Sequence, residues 1–496
     1  MMIMAQEEAI LKAQTKFEKM IDFVRRASAA NRSIDQVEHG LWEQLLAVGR
    51  AMLEGYLAGY DTGDLGPTVE HEGRTLRRLE ELHDRRYVSV FGELTISRTV
   101  YGTRETQKHE VVPLDALLNL PESDSSYLLQ AWDQAFCVQN SYGKSRQTVE
   151  SILGIGQSVR TLEQMNVSMA REVESFREGR PAPPAEEEGS ILVVTADGKG
   201  VPMRRDRQED NAGRGKRRKK GEKANKKRMA CVGSVYTIAP FVRTADDVVN
   251  EVMRHRCQAD RPVPQHKQVR AELTRTMDGE EVNGKDRIFS WFADQVARRN
   301  PGGHKRVVCV MDGERALWKT LKHYVLAVVC ILDLFHVMER LWQAAYCFHP
   351  EGSQEAQAFV TDRLRRILQG EVGYVIGGLR QMATKHRLRG SKAGRLSEVI
   401  GYLERNRCFM HYDEYLAAGY PIGSGVAEGA CRHLVKDRME LTGMRWCTEG
   451  AQAMLDLRAV YLNGDWDAFQ KHRIKQERRR LYPYLRTVQR EWRNAA

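Results

Sequence analysis

Two short apolar runs constrain this chain most, because each is nearly unbroken and each ends in the same dipeptide. Ile191, Leu192, Val193, Val194, Thr195 and Ala196 lead to Asp197-Gly198; Val307, Val308, Cys309, Val310 and Met311 lead to Asp312-Gly313. A run apolar at successive positions fits a strand covered on both sides, as in a parallel sheet. Strand-like and helix-like stretches alternate around them: 229–238 a strand, 285–298 a helix, 306–311 a strand, 314–323 a helix, 325–332 a strand. That alternation predicts an α/β layer with a partly parallel sheet. If the strands before Asp197 and Asp312 are neighbours, their carboxylates meet at the C-terminal edge, where such sheets bind ligands.

A third acid, Glu428, sits within Gly423-Ser424-Gly425-Val426-Ala427-Glu428-Gly429, at the predicted start of a helix reaching about Leu441. Residues 342–416 are helical in pattern and charged, which reads as an insertion delaying Glu428. Two carboxylates at strand ends and one on a helix offer hard oxygen ligands suited to Mg²⁺ or Mn²⁺. Two such ions can activate water and stabilise the leaving oxygen of a phosphodiester, so the triple points to an enzyme that cuts nucleic acid. Each acid also has a plainer reading. Asp-Gly after a strand is a common turn, and a Glu in a first helical turn is favoured by the helix dipole.

The charge balance is compatible with a polyanionic partner, at +11. Its distribution is sharper: 204–228 holds Lys216, Arg217, Arg218, Lys219 and Lys220 in one run. That loop, just after Asp197, is placed to hold phosphates; the alternative is a solvated linker. Arg432 and Lys436 follow Glu428 at i+4 and i+8, along one face of an ideal helix, where they could meet a phosphate backbone or simply face solvent. The nine cysteines are scattered with no CxxC pair, which argues against a disulfide framework and for reduced thiols in a cytoplasmic protein. Residues 1–19 lack the apolar core of a signal peptide, and no run is long enough to span a bilayer, so no membrane is expected.

The chain divides into a helical region (1–84), a β-hairpin segment (85–120), a helix-turn-helix-like segment (121–180) and a linker (181–189). Then come a first core part (190–345), a helical insertion (346–418), a second core part (419–470) and a basic C-terminal tail (471–496). Within 121–180, a helix at 145–153, a Gly154-Ile155-Gly156 turn and a second helix from Ser158 have the layout of a DNA-reading pair. The same layout also occurs as an ordinary helix pair.

The order strand-Asp-Gly, strand-Asp-Gly with Trp318 nearby, a long helical insertion, then Gly-Ser-Gly-x-x-Glu-Gly resembles the DDE transposases of bacterial insertion sequences. It is most similar to the ISKra type, with kinship to the ISL and Mutator-like groups. Residues 423–446, ending Thr442-Gly443-Met444-Arg445-Trp446, carry the most specific part. The resemblance implies a multidomain α+β protein, with an RNase H-like α/β core interrupted by the insertion and preceded by a mostly helical DNA-binding region with a hairpin. It implies that Asp197, Asp312 and Glu428 hold two Mg²⁺ or Mn²⁺ ions. DNA, as terminal inverted repeats and target, would be the partner of a homo-oligomer. Asp333-Leu334-Phe335-His336 matches a segment in which relatives carry Cys-x-x-His or Asp-x-x-His, so His336 would contact DNA or position Asp333; a satisfied core pair is the other reading. One departure is that 102–109 has no cysteine where relatives often bind zinc. A structure-selective nuclease and a non-catalytic DNA-binding protein are the alternative functions.

Overall fold

The computed structural model describes residues 2–103, 110–204, 227–253, 261–277, 279–441 and 443–495. The chain forms two compact units: Met1–Glu178 with Asp465–Ala496, and Gly179–Gly464. Among the described residues, no helix is long and apolar enough to cross a membrane.

The second unit is built on a mixed five-stranded sheet. Its spatial order is Val329–Leu332, Arg306–Met311, Ile191–Pro202, Lys227–Ile238, Gln265–Leu273. The first three run parallel, with Val308 opposite Val193 and Val310 opposite Ile331. The last two are antiparallel to their neighbours. Strand alternation sorts the apolar runs into two cores. Ile191, Val193, Val308 and Val310 face one side with Leu334, Leu341, Val360 and Leu403. Leu192, Val194, Val307 and Cys309 face the other with Phe289, Phe292, Leu317 and Trp318. Burial on both faces is why these strands read as unbroken apolar runs.

One expectation is corrected here and two are refined. The strand carrying Asp197 does not end there: pairing with Lys227–Ile238 continues through Gly198↔Cys231 to Pro202↔Lys227, so Asp197 lies within a strand. The helices of 346–418, read as an insertion, do not stand apart from the core, since Phe359, Leu364, Val375, Leu396 and Val399 share the core of the sheet's first face. Nor is the acidic end of 181–189 wholly solvated. The Glu188 side chain is buried and accepts from Arg299 Nε at 2.7 Å and Lys305 Nζ at 2.6 Å, anchoring it beside the sheet.

The first unit opens with helices Met2–Ala29 and Ile34–Ala58, which pack together. Strands begin earlier than expected, at Thr68–His71 and Arg74–Arg78 inside the region read as helical, before the hairpin His83–Ser89/Gly92–Arg98. The two-helix layout is present as Tyr142–Leu153 and Val159–Ala170. Ser141 and Ser158 cap their starts by accepting from Lys144 N and Thr161 N, and left-handed Gly154 stops the first. Residues 471–496 are not a tail. Helices Trp466–Leu481 and Leu485–Ala495 return to this unit, where Tyr482 Oη donates to Leu120 O at 2.6 Å.

Candidate active site

The parallel pairing of Ile191–Pro202 with Arg306–Met311 sets Asp197 and Asp312 at the same edge of adjacent strands. Asp312 directly follows its strand and accepts from Glu314 N at 3.0 Å, the Asx turn its sequence predicts. Asp197 Oδ1 accepts from Gly198 N at 2.6 Å. Its Oδ2 accepts from Cys431 Sγ at 3.3 Å. Cys431 lies one turn beyond Glu428, so the segment bearing the third acid abuts the strand bearing the first.

Asp333 places the Glu428 segment at its other end. It is fully buried at the end of Val329–Leu332, and its carboxylate gathers four donors. Phe335 N (3.2 Å) and Ser424 N (3.0 Å) donate to Oδ1. Ser424 Oγ (2.8 Å) and His336 Nδ1 (2.6 Å) donate to Oδ2. The Ser424 contacts tie the Gly-Ser-Gly loop to the sheet edge, and Leu334 N donating to Ile422 O at 2.9 Å adds a backbone link. A Cβ at Gly423 would lie 2.9 Å from the Phe335 ring, so a larger residue there would push that exposed ring aside. Sequence reasoning noted the Asp333-x-x-His336 spacing but missed Ser424 and Cys431. Neither small side chain carries a signal of its own.

The electrostatics tie these groups together. Burial raises the Asp312 carboxyl above its usual range, with Asp197 adding to the rise and His336 opposing it. Burial likewise raises Glu428, with Asp333 and Asp197 as like charges. The hydrogen bond to Asp333 pushes His336 up to about 9, so it is a cation at neutral pH. Among the described residues, no three His, Cys, Asp or Glu side chains converge into a ready metal shell. Asp197 and Asp312 are instead each turned onto a nearby backbone N–H. The donor set still fits hard divalent cations. It is all carboxylate, and the Asp197 charge favours the protonated form of both Asp312 and Glu428, an effect that a cation among them would reverse.

The helix after Glu428 is not the uniform one expected. Gly425–Ala430 is α-helical, Cys431–Lys436 is a π-helix, and Asp437–Met439 closes it short of Leu441. The wider π turn rotates Lys436 away from the line expected through Glu428 and Arg432. Arg458 Nε donates to His433 O at 2.5 Å, so a carbonyl in the irregular turn has a partner. Both Lys436 and Arg432 are exposed; Arg432 Nε is 3.7 Å from Asp437. Beyond, Trp446 N donates to Pro202 O at 3.0 Å and Arg204 N donates to Trp446 O at 2.8 Å. The motif ending in Trp446 is therefore stitched to the strand that carries Asp197. Lys216, Arg217, Arg218, Lys219 and Lys220 lie outside the described residues.

No known family model matches this chain, and no curated protein matches it. Among solved structures, it is similar to the Drosophila P element transposase strand transfer complex. That likeness covers 74% of this chain and 82% of that chain, at a TM-score of 0.23 and 8% sequence identity.

Proposed function

We propose that this chain is a DDE transposase of the bacterial insertion-sequence kind. It would cut DNA at element ends and join the freed 3′-hydroxyl to target DNA. The observation that carries the reading is the acid placement: Asp197 on the sheet's central strand, Asp312 ending the adjacent parallel strand, and Glu428 on a segment pinned to Asp197 at one end and to Asp333 at the other. Three antiparallel strands followed by two parallel ones on the first strand's open side also support an RNase H-like core. Asp197, Asp312 and Glu428 would hold two Mg²⁺ or Mn²⁺ ions, which when bound supply water activation and charge neutralisation at a phosphodiester. The chain's own groups divide the remaining work. Cationic His336, fixed by Asp333, offers a positive charge to a phosphate at this edge, while Ser424 and Cys431 hold the Glu428 segment against the two strands. Exposed Arg432 and Lys436 add backbone contacts on the same segment.

Labelled element-end duplex, target DNA and Mg²⁺ test the proposal. Cutting and joining are expected, and Asp197→Asn, Asp312→Asn or Glu428→Gln should each lower cleavage by at least 100-fold while sparing DNA binding. Cleavage near the wild-type rate in any of the three would remove that residue from the site. Cutting without joining would make the chain a nuclease, and binding alone a non-catalytic DNA-binding protein.

A further inference from the structure

Helix Trp466–Leu481 packs into the first unit through Phe469, Gln470 and Arg473, all buried. Its basic residues fall into two sets. Arg473 Nη1 donates to Gln130 Oε1 at 2.9 Å and to Glu477 Oε2 at 3.3 Å; Arg480 Nη2 donates to Glu122 Oε2 at 2.6 Å. Lys471, Lys475 and Arg479 form the other set, at i, i+4 and i+8 on the opposite face, all exposed. In the next helix, Leu485–Ala495, Arg486 and Arg490 repeat the i,i+4 spacing, also exposed. The side chains of these five make no hydrogen bond or ion pair with another described residue.

Like charges at i,i+4 weaken a helix. The helix dipole accounts for Arg479 in the last turn but not for Lys471 and Lys475 in the middle. A stripe that costs helix stability, with three cations against one acid, Asp467 in the first turn, and no ion pair to that acid, fits an external anion. Four residues of helix rise about 6 Å, while phosphates of one duplex strand advance about 3.4 Å each, so the stripe can address roughly every second phosphate. Single-strand surfaces interleave rings with charge, and this stripe carries no ring: the further exposed residues in line with it are Asp467 and Ala468.

We infer that Lys471, Lys475 and Arg479, continued by Arg486 and Arg490, form a surface that grips the sugar–phosphate backbone of duplex DNA without reading sequence. This rests on the proposed action on DNA and names the face that holds it. The test uses the full chain and random-sequence duplex, with affinity measured by fluorescence anisotropy across a salt series. Lys471→Ala/Lys475→Ala/Arg479→Ala should bind roughly 10- to 100-fold more weakly, with a log–log salt slope smaller by about two to three. The charge-preserving Lys471→Arg/Lys475→Arg should keep the slope. A control removing paired cations of the same unit, Lys12→Ala/Arg25→Ala/Arg50→Ala, should leave it unchanged. An unchanged slope in the first variant, or an equal drop in the control, overturns the surface while leaving the proposed function standing. A wild-type chain that binds no DNA overturns both.

Discussion

Asp133 in the first unit and Asp333 in the second are equally buried, at 1% and 0% exposure, yet their surroundings differ sharply. Asp333 gathers four donors from three residues and so joins a strand end, a helix start and the Gly-Ser-Gly loop. Among the described residues, Asp133 accepts from Gln157 Nε2 alone, at 2.7 Å, and burial pushes its carboxyl up to about 7. A buried acid therefore fixes geometry only in proportion to the donors brought to it; without them it tends to hold its proton.

The strongest way to break this comparison is to remove the well-supplied acid. Asp333→Ala strands the donors of Ser424, Phe335 and His336 and should cost about 3–5 kcal/mol, read as a lower urea midpoint, and cleavage should fall with it. His336→Ala should cost less, about 2 kcal/mol below pH 6. Because the folded-state pKa of His336 is raised, its contribution is fully present below about 6.5 and is lost as pH rises through about 9. Thermal melts of wild type and variant should therefore converge above that range. The smallest effect has the opposite sign. A raised carboxyl penalises the folded state increasingly as pH climbs from 3.8, and fully above about 7. Asp133→Asn should thus stabilise by about 1–2 kcal/mol at pH 8 and by almost nothing at pH 4. Equal melts at pH 8 would mean that Asp133 is better solvated than its burial indicates.

Much of the second unit was legible because its strands are apolar on both faces, and Asp312 was legible because its strand ends where its turn begins. Asp197 misled for a physical reason. Asp-Gly favours a turn, but twelve paired positions from Ile191 to Pro202 override that local preference. Gln265–Leu273 was overlooked because its buried positions include Gln268, Arg270 and Glu272. Arg270 and Arg275 both donate to Glu272, at 2.7 Å, so polarity is satisfied inside the sheet and hidden from hydropathy. The hairpin at Thr68–Arg78 was overlooked similarly. Its strands are polar, and its turn rests on Glu72-Gly73, both with positive φ. The π turn after Glu428 left no mark that residue order could carry.

The link between Asp197 and Cys431 joins positions 234 apart, and the Pro202–Trp446 pairing reaches further. Contacts of such separation close late, because a long stretch of chain must be ordered before they bring any gain. On a ribosome, which releases the N-terminal part first, Asp197 and Asp312 would emerge and settle into their sheet well before Glu428 exists. The acid edge is thus completed only once Glu428 has been made, and a chain stalled before that point would carry two of the three carboxylates.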